Sequence, residues 1–354
     1  MLIQAWHYAA PNYPYTCYDV LYRTPRQHVG GCLWHSFDHQ RGYHPDPFYG
    51  GLMDVFRQPK YSYYMFQAQR SPKKQDRLFE TGPMVYIAHE MTPFSPKDVT
   101  VYSNCDEVRL TYNKGGKSLT YTKPVSREGM PSPIITFKDV YNFMIDKNMS
   151  MKEGRQKEVF LLAEGLINGK VVATHKVCPA RRPSKLLLWI DNENTELKAD
   201  GSDFVTVIAA IADKNGNIKR LNNYYVKFHI EGEGRILGGA NVLANPAPVK
   251  WGTAPILVQS TLKPGKIKIT ASVLFEGSQM PVSAELELES KPSAYPLIYA
   301  SEEAALIPMK SDSQSFPITA KPQKELEKEK AVKEQNERKL KEVEQQQADF
   351  GEKK

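Results

Sequence analysis

Short runs of strand-forming residues, each followed by turn residues, occupy most of the sequence from residue 84 to residue 289. Two of the turns, Asn113-Lys-Gly-Gly116 and Asn168-Gly169, have Gly or Asn where a tight hairpin requires positive φ. Short strands at this spacing are typical of immunoglobulin-like sandwiches. The pattern therefore predicts a mainly β protein that contains two sandwich domains.

The first predicted sandwich covers residues 83–180 and the second covers residues 185–290. The polar segment 67–82 precedes the first, Arg181-Arg-Pro-Ser184 closes it, and Asp213-Lys-Asn-Gly-Asn217 is a turn within the second. Strands are expected at 84–91, 99–103, 107–112, 118–122, 134–137, 159–166 and 171–177, and then at 185–191, 203–212, 224–230, 256–261, 267–274 and 284–289.

Residues 30–49 combine a Trp, three His, two Asp and an Arg with several Phe and Tyr residues, which is an active-site composition. The apolar run 30–37 predicts a buried strand, and the polar, Pro- and Gly-containing segment 38–47 predicts a loop that leaves its C-terminal end. Strands of α/β barrels present functional side chains at that end. The alternative is that Trp34 and His35 are ordinary core residues.

Two segments resemble, in order, the end of the catalytic barrel of glycoside hydrolase family 2. The first is Gly30-Gly-Cys-Leu-Trp-His-Ser-Phe-Asp-His-Gln-Arg-Gly-Tyr43, which is similar to the eighth barrel strand. The second contains Gly51-Leu-Met-Asp54 and Pro59-Lys-Tyr-Ser-Tyr-Tyr64, which are similar to the barrel exit. The variant of the first segment resembles the β-galactosidase and agarase-like branch of the family.

Segments of both predicted sandwiches resemble the same family, whereas the charged tail does not. Residues 99–119 are similar to the all-β domain that follows the barrel, and residues 197–205, 226–239 and 252–258 are similar to the final C-terminal domain. The resemblance implies a remnant of the last strand of a (β/α)8 barrel over residues 1–70. Two immunoglobulin-like β-sandwich domains would follow it, and then a linker and charged tail over 291–354.

The resemblance also implies a carbohydrate site in the barrel remnant, with a β-galactoside or related polysaccharide as substrate. Trp34 would stack beneath the sugar, and His35 and Asp38 would hydrogen-bond its hydroxyl groups. The adjoining subsites would be lined by His39, Arg41, Tyr43 and His44.

The catalytic carboxylates that the family requires are expected to lie outside this chain. Retaining hydrolysis uses two glutamates about 5 to 5.5 Å apart, and in this family they stand on barrel strands 4 and 7. The first glutamate here is Glu80, and the carboxylates of the barrel-like part are Asp19, Asp38, Asp46 and Asp54. The chain is thus expected to be the C-terminal part of such a glycosidase, inactive without a missing N-terminal partner.

A different class of function stays open at this point. The two sandwiches could form a carbohydrate-binding or scaffolding protein that is not an enzyme. Against this reading, neither sandwich has an aromatic cluster comparable to residues 34–49, although the exposure of Trp189 and Trp251 cannot be read from the sequence.

Composition argues against several other classes. The net charge is +7, but the basic residues are interspersed with acidic ones, which argues against nucleic-acid binding. Four irregularly spaced cysteines predict neither a disulfide framework nor a zinc site, and the histidine spacing predicts no metal site. No cofactor is expected.

The sequence predicts neither a membrane-spanning segment nor a signal peptide. No apolar run approaches the roughly 18 residues that span a bilayer, and the N-terminus has no signal-peptide pattern, so the chain as written is expected to be cytoplasmic. Full-length relatives of this branch are usually exported.

Residues 323–347 carry Glu and Lys or Arg four residues apart, which predicts a marginal helix or a disordered tail.

Overall fold

The computed structural model describes residues 2–9, 18–25, 27–28, 30–40, 42, 47–74, 81–113, 118–124, 129–145, 159–191, 195–274 and 281–294. The chain divides into two compact units. One consists of Met1–Gly238 and Leu243–Ile298, and the other of Gly239–Val242 and Tyr299–Lys354. The predicted tail lies outside the described residues. Of the second unit the structure describes 239–242, which include a 3-10 helix, Ala240–Val242.

Three short helices occur before the first sandwich in the described part of the chain. They are α1 (Leu2–Ala9), α2 (Tyr18–Leu21) and α3 (Tyr61–Gln67). Among the described helices, none combines the length and the apolar character that crossing a membrane requires.

Residues 30–37 differ from the buried strand that the sequence predicts. They form no regular strand, and their backbone meets the returning chain through an isolated bridge between Phe37 and Met53. Most of their side chains are exposed. A strand becomes buried on both faces when neighbouring strands and covering helices surround it, and the described residues place none around this segment.

The first sandwich consists of two antiparallel sheets with the strand orders β1-β2-β5 and β4-β3-β6-β7. Its strands are β1 (Val85–Ala88), β2 (Val99–Ser103), β3 (Glu107–Tyr112), β4 (Ser118–Thr122), β5 (Ile135–Phe137), β6 (Leu161–Ile167) and β7 (Lys170–Val177). Alternation creates the core, because Val108, Leu110 and Tyr112 of β3 are buried while the residues between them are partly exposed.

The hairpin between β6 and β7 follows the turn signal in the sequence. Asn168 and Gly169 have φ values of 51° and 74°, the positive values that a two-residue turn of this kind requires. This turn confirms the prediction made from Asn168-Gly169. Residues 114–117 of the other predicted turn lie outside the described residues.

The second sandwich has the sheets β12-β14-β10-β8 and β13-β11-β15-β16-β9. Its strands are β8 (Lys185–Asp191), β9 (Lys198–Ala199), β10 (Phe204–Ala212), β11 (Tyr225–Gly232), β12 (Gly234–Ile236), β13 (Ala247–Pro248), β14 (Thr253–Ser260), β15 (Gly265–Leu274) and β16 (Ala284–Pro292). Aliphatic side chains from both sheets, among them Val207, Ile256 and Ile269, form one core. The mainly β prediction is confirmed.

The helices pack against the first sandwich through a separate apolar cluster. Ala5 of α1 and Met65 of α3 are fully buried together with Ala88 and Tyr102 of the first sandwich and with Met130. Burial of this kind removes apolar surface from water and so stabilises the attachment of the helices. Helices α1 and α3 are therefore anchored on the first sandwich.

Glu90, which follows β1, connects three parts of the chain. Its carboxylate accepts a hydrogen bond from the hydroxyl of Tyr61 at 2.8 Å and from Nε of Arg220 at 3.0 Å. Arg220 also donates to the backbone oxygen of Trp251 at 3.2 Å. Helix α3, the first sandwich and the second sandwich therefore meet at one partly buried carboxylate.

Two histidines of the first sandwich are held as neutral hydrogen-bond acceptors. Nδ1 of His89 accepts the N–H of Met91 at 3.1 Å, and Nδ1 of His175 accepts the N–H of Ile87 at 3.1 Å. Burial lowers the pKa of both rings below the ordinary histidine value, an effect that the contact with the Pro96 carbonyl partly offsets for His89. Protonation is therefore easier in the unfolded chain than in the folded one.

The free energy of unfolding should consequently fall as the pH drops below the ordinary histidine pKa of about 6.5. We expect urea unfolding at pH 7.5 and pH 5.5 to show this loss, and the double variant His89→Gln/His175→Gln to show a smaller one. A control variant at the exposed His229, His229→Gln, should retain the wild-type pH dependence. If the double variant loses as much free energy of unfolding as wild type between pH 7.5 and pH 5.5, His89 and His175 do not cause the loss.

Candidate functional site

An aromatic cluster, defined here as Trp34, His35, His39 and Phe48, forms the candidate site. Trp34 is 83% exposed, and its ring centroid lies 6.0 Å from that of His35 across a cis peptide bond. The His35 ring meets His39 at 4.2 Å and Phe48 at 4.9 Å, both edge-on. His39 and Phe48 are 5.8 Å apart. The cluster thus presents a large aromatic face to solvent on a base of packed rings.

Two limbs of backbone, residues 36–39 and 48–53, carry His39 and Phe48 of the cluster. Asp38 donates its N–H to the oxygen of Met53, Met53 donates to Ser36, and His39 and Phe48 exchange both backbone hydrogen bonds at 2.9 and 3.3 Å. Gly51 permits this approach, because a Cβ atom there would collide with the backbone of Phe37 and Asp38.

A buried ion pair joins the two limbs. Nζ of Lys60 is 2.6 Å from Oδ1 of Asp38, and the two side chains are 9% and 4% exposed. The same oxygen accepts the N–H of Gly51 at 2.9 Å, and Lys60 also donates to the backbone oxygen of Tyr49 at 3.0 Å. Each charge therefore has partners that compensate for its removal from water.

The Asp54 carboxylate stabilises a tight turn. It accepts the N–H groups of Phe56 and Gln58 at 2.8 and 2.9 Å and so closes a turn in which Arg57 has a φ of 66°. Burial raises the pKa of Asp54, and the hydrogen bonds from Gln58 and Phe56 oppose that rise. The Arg57 guanidinium lies 5.5 Å from the Phe37 ring centroid, within the range of a cation–π contact.

The structure brings together three of the predicted site residues, Trp34, His35 and His39. The buried Asp38 carboxylate binds Lys60 and Gly51, so its direct contact with a sugar hydroxyl stays a prediction. The other predicted residues, Arg41, Tyr43 and His44, lie outside the described residues.

Two residues of the site were missed from the sequence. Phe48 belongs to the same aromatic-rich run as Trp34 and could have been included on that signal. Lys60 carries no local signal of its role, because its two oxygen partners are 22 and 11 residues away in the chain. Among the described residues, no group of three His, Cys, Asp or Glu side chains could hold a metal ion.

Comparison with known proteins places the chain in a family. Residues 188–274 match the family model described as glycoside hydrolase family 2 C-terminal domain 5. A β-galactosidase of Thermoanaerobacter pseudethanolicus is 32% identical over 273 residues, which cover 75% of this chain and 34% of that protein. The chain carries the C-terminal region of a glycoside hydrolase family 2 protein.

Further relatives agree with this assignment to family 2. A β-galactosidase of Bacteroides ovatus is 28% identical over 261 residues, which cover 69% of this chain and 27% of that protein. A solved β-glycosidase from Bacteroides vulgatus has the same fold, with a TM-score of 0.52 and 23% identity over 72% of this chain and 30% of that one. The family 2 region described here spans about a third of the length of the curated relatives it matches.

Breaking the buried pair of Asp38 and Lys60 should be strongly destabilising. The change Lys60→Met leaves the Asp38 carboxylate buried without its cation, and we expect the free energy of unfolding to fall by about 3 to 5 kcal/mol. The change Lys138→Met removes the cation of an exposed pair with Asp98 and should have little effect. Urea unfolding of both variants checks this, and equal losses would contradict it.

Proposed function

We propose that this chain forms one wall of the glycan-binding site of a β-galactosidase-type family 2 glycosidase. The observation that carries the proposal is the exposed ring of Trp34, which contacts His35, whose ring in turn packs on His39 and Phe48. The curated relatives described above are named as β-galactosidases, which supports a β-galactoside or a related polysaccharide as the ligand.

The chemistry of the cluster suits a sugar. The face of a pyranose ring that carries C–H groups is apolar and packs on an aromatic face, as Trp34 offers. The sugar edge carries hydroxyl groups, which need donors and acceptors. The exposed His39 and the partly buried His35 have ring nitrogens of both kinds when neutral. Trp34 would therefore supply apolar contact, and the histidines would orient the sugar.

Hydrolysis itself would need carboxylates from elsewhere. A retaining glycosidase places an acid/base and a nucleophile about 5 to 5.5 Å apart. Of the Asp side chains near the cluster, Asp38 is bound to Lys60, and Asp54 closes a turn. We therefore propose that a barrel segment carrying two glutamates completes the site, and that this segment is the partner of the chain.

The first test of the proposal is sugar binding by Trp34. In an NMR titration of the chain with methyl β-D-galactopyranoside, we expect Trp34→Ala to weaken binding by about 1 to 3 kcal/mol, because the stacking face is lost. Trp34→Phe should weaken it less.

The matched control is Trp251→Ala, at a partly exposed Trp of the second sandwich that should not affect binding. Wild-type affinity in Trp34→Ala would show that Trp34 is not the sugar platform. A loss confined to Trp251→Ala would instead favour a carbohydrate-binding function of the sandwiches.

The second test is catalysis by the chain alone. We expect p-nitrophenyl β-D-galactopyranoside and agar-type oligosaccharides to remain uncleaved, because the covalent step of a retaining mechanism requires a nucleophile at the sugar. Product release is measured by absorbance and by chromatography. Turnover that survives purification and disappears in Asp38→Asn or Asp54→Asn would refute this prediction.

A further inference from the structure

We infer that Lys60 is a positioning residue of the sugar site, which holds the two backbone limbs of the aromatic cluster in register. The inference rests on the proposed function for the identity of the ligand. It assigns Lys60 no contact with the sugar. Lys60 would hold Asp38 and Tyr49 in place, and these two residues would fix the neighbouring rings on which Trp34 depends.

The ammonium group joins one atom from each limb. Asp38 belongs to the limb 36–39, and its Oδ1 lies 2.6 Å from Nζ of Lys60. Tyr49 belongs to the limb 48–53, and its backbone oxygen lies 3.0 Å from the same nitrogen. Because the Lys60 side chain is 9% exposed, water cannot easily replace these bonds.

The rings of the cluster stand next to these two anchor points. His39 follows Asp38 and Phe48 precedes Tyr49, and the two residues exchange backbone hydrogen bonds with each other. Both rings contact His35, which in turn contacts Trp34. Separation of the limbs would therefore move the base on which the Trp34 face rests.

Lys60 also connects the limbs to the body of the protein. It is the residue immediately before α3, and its backbone N–H donates to the oxygen of Leu52 at 2.9 Å. Helix α3 is anchored in the first sandwich through Met65 and through the bond from Tyr61 to Glu90. Lys60 thus connects the first sandwich, through α3, to the two limbs that carry His39 and Phe48.

The test separates positioning from stability with two variants of the chain. Lys60→Met removes the cation and leaves a buried carboxylate. The double variant Asp38→Asn/Lys60→Met removes both charges, so no buried charge is left without its partner, and the amide oxygen at position 38 can still accept the N–H of Gly51. In the double variant the Tyr49 oxygen still lacks its donor. Lys138→Met is the control for loss of a lysine at an exposed ion pair.

Two quantities are measured, the amide hydrogen exchange of His39 and Phe48 and the affinity for methyl β-D-galactopyranoside. We expect both amides to exchange about tenfold faster in the double variant than in wild type, with galactoside binding weakened by a similar factor. Amides of β10, in the core of the second sandwich, should exchange at the wild-type rate.

Wild-type exchange of His39 and Phe48 in the double variant would overturn the positioning role, whatever the affinity. Wild-type affinity combined with fast exchange would overturn it as well, because the limbs would then not control the site. If wild type itself binds no galactoside, the proposed function fails, and the exchange rates still decide whether Lys60 holds the limbs.

Discussion

The carboxylate of Glu90 is the contact on which the arrangement of the chain depends. Glu90 follows β1 of the first sandwich, and its carboxylate binds Tyr61 of α3 and Arg220 of the second sandwich. Burial, and then the negative charge of Glu90, raise the pKa of Tyr61, so its hydroxyl keeps the proton that it donates. Hydrogen bonds with a charged donor or acceptor are stronger than neutral ones, and the Glu90 carboxylate accepts two of them.

The candidate site is connected to this contact through a short path. Tyr61 is the first residue of α3, and Lys60 before it binds Asp38 and Tyr49, which adjoin His39 and Phe48 of the aromatic cluster in the chain. The site residues belong to no regular helix or strand, and a buried ion pair and a helix packed on the first sandwich hold them in place. Rigid support of this kind is what a binding site requires to keep its geometry.

In the proposed function, recognition and chemistry are divided between segments. The described residues offer an aromatic face and imidazole groups, which bind and orient a sugar. The carboxylates close to them are occupied in structural bonds, Asp38 with Lys60 and Asp54 in a turn. A wall that only binds can still influence the reaction, because orientation of the substrate lowers the barrier when the catalytic groups are supplied.

The sequence by itself determined the strands with a strong local pattern, and only the tertiary structure decided the rest. The bounds of β2, β3, β4 and β8 agree with the prediction, because alternation and turn residues are local signals. The short strands β9, β12 and β13 were not predicted, since pairing with distant strands defines them. The grouping of Trp34, His35 and His39 followed from their closeness in sequence. The burial of Asp38 and the role of Lys60 did not, because an ion pair between residues 22 positions apart depends on how the chain returns upon itself.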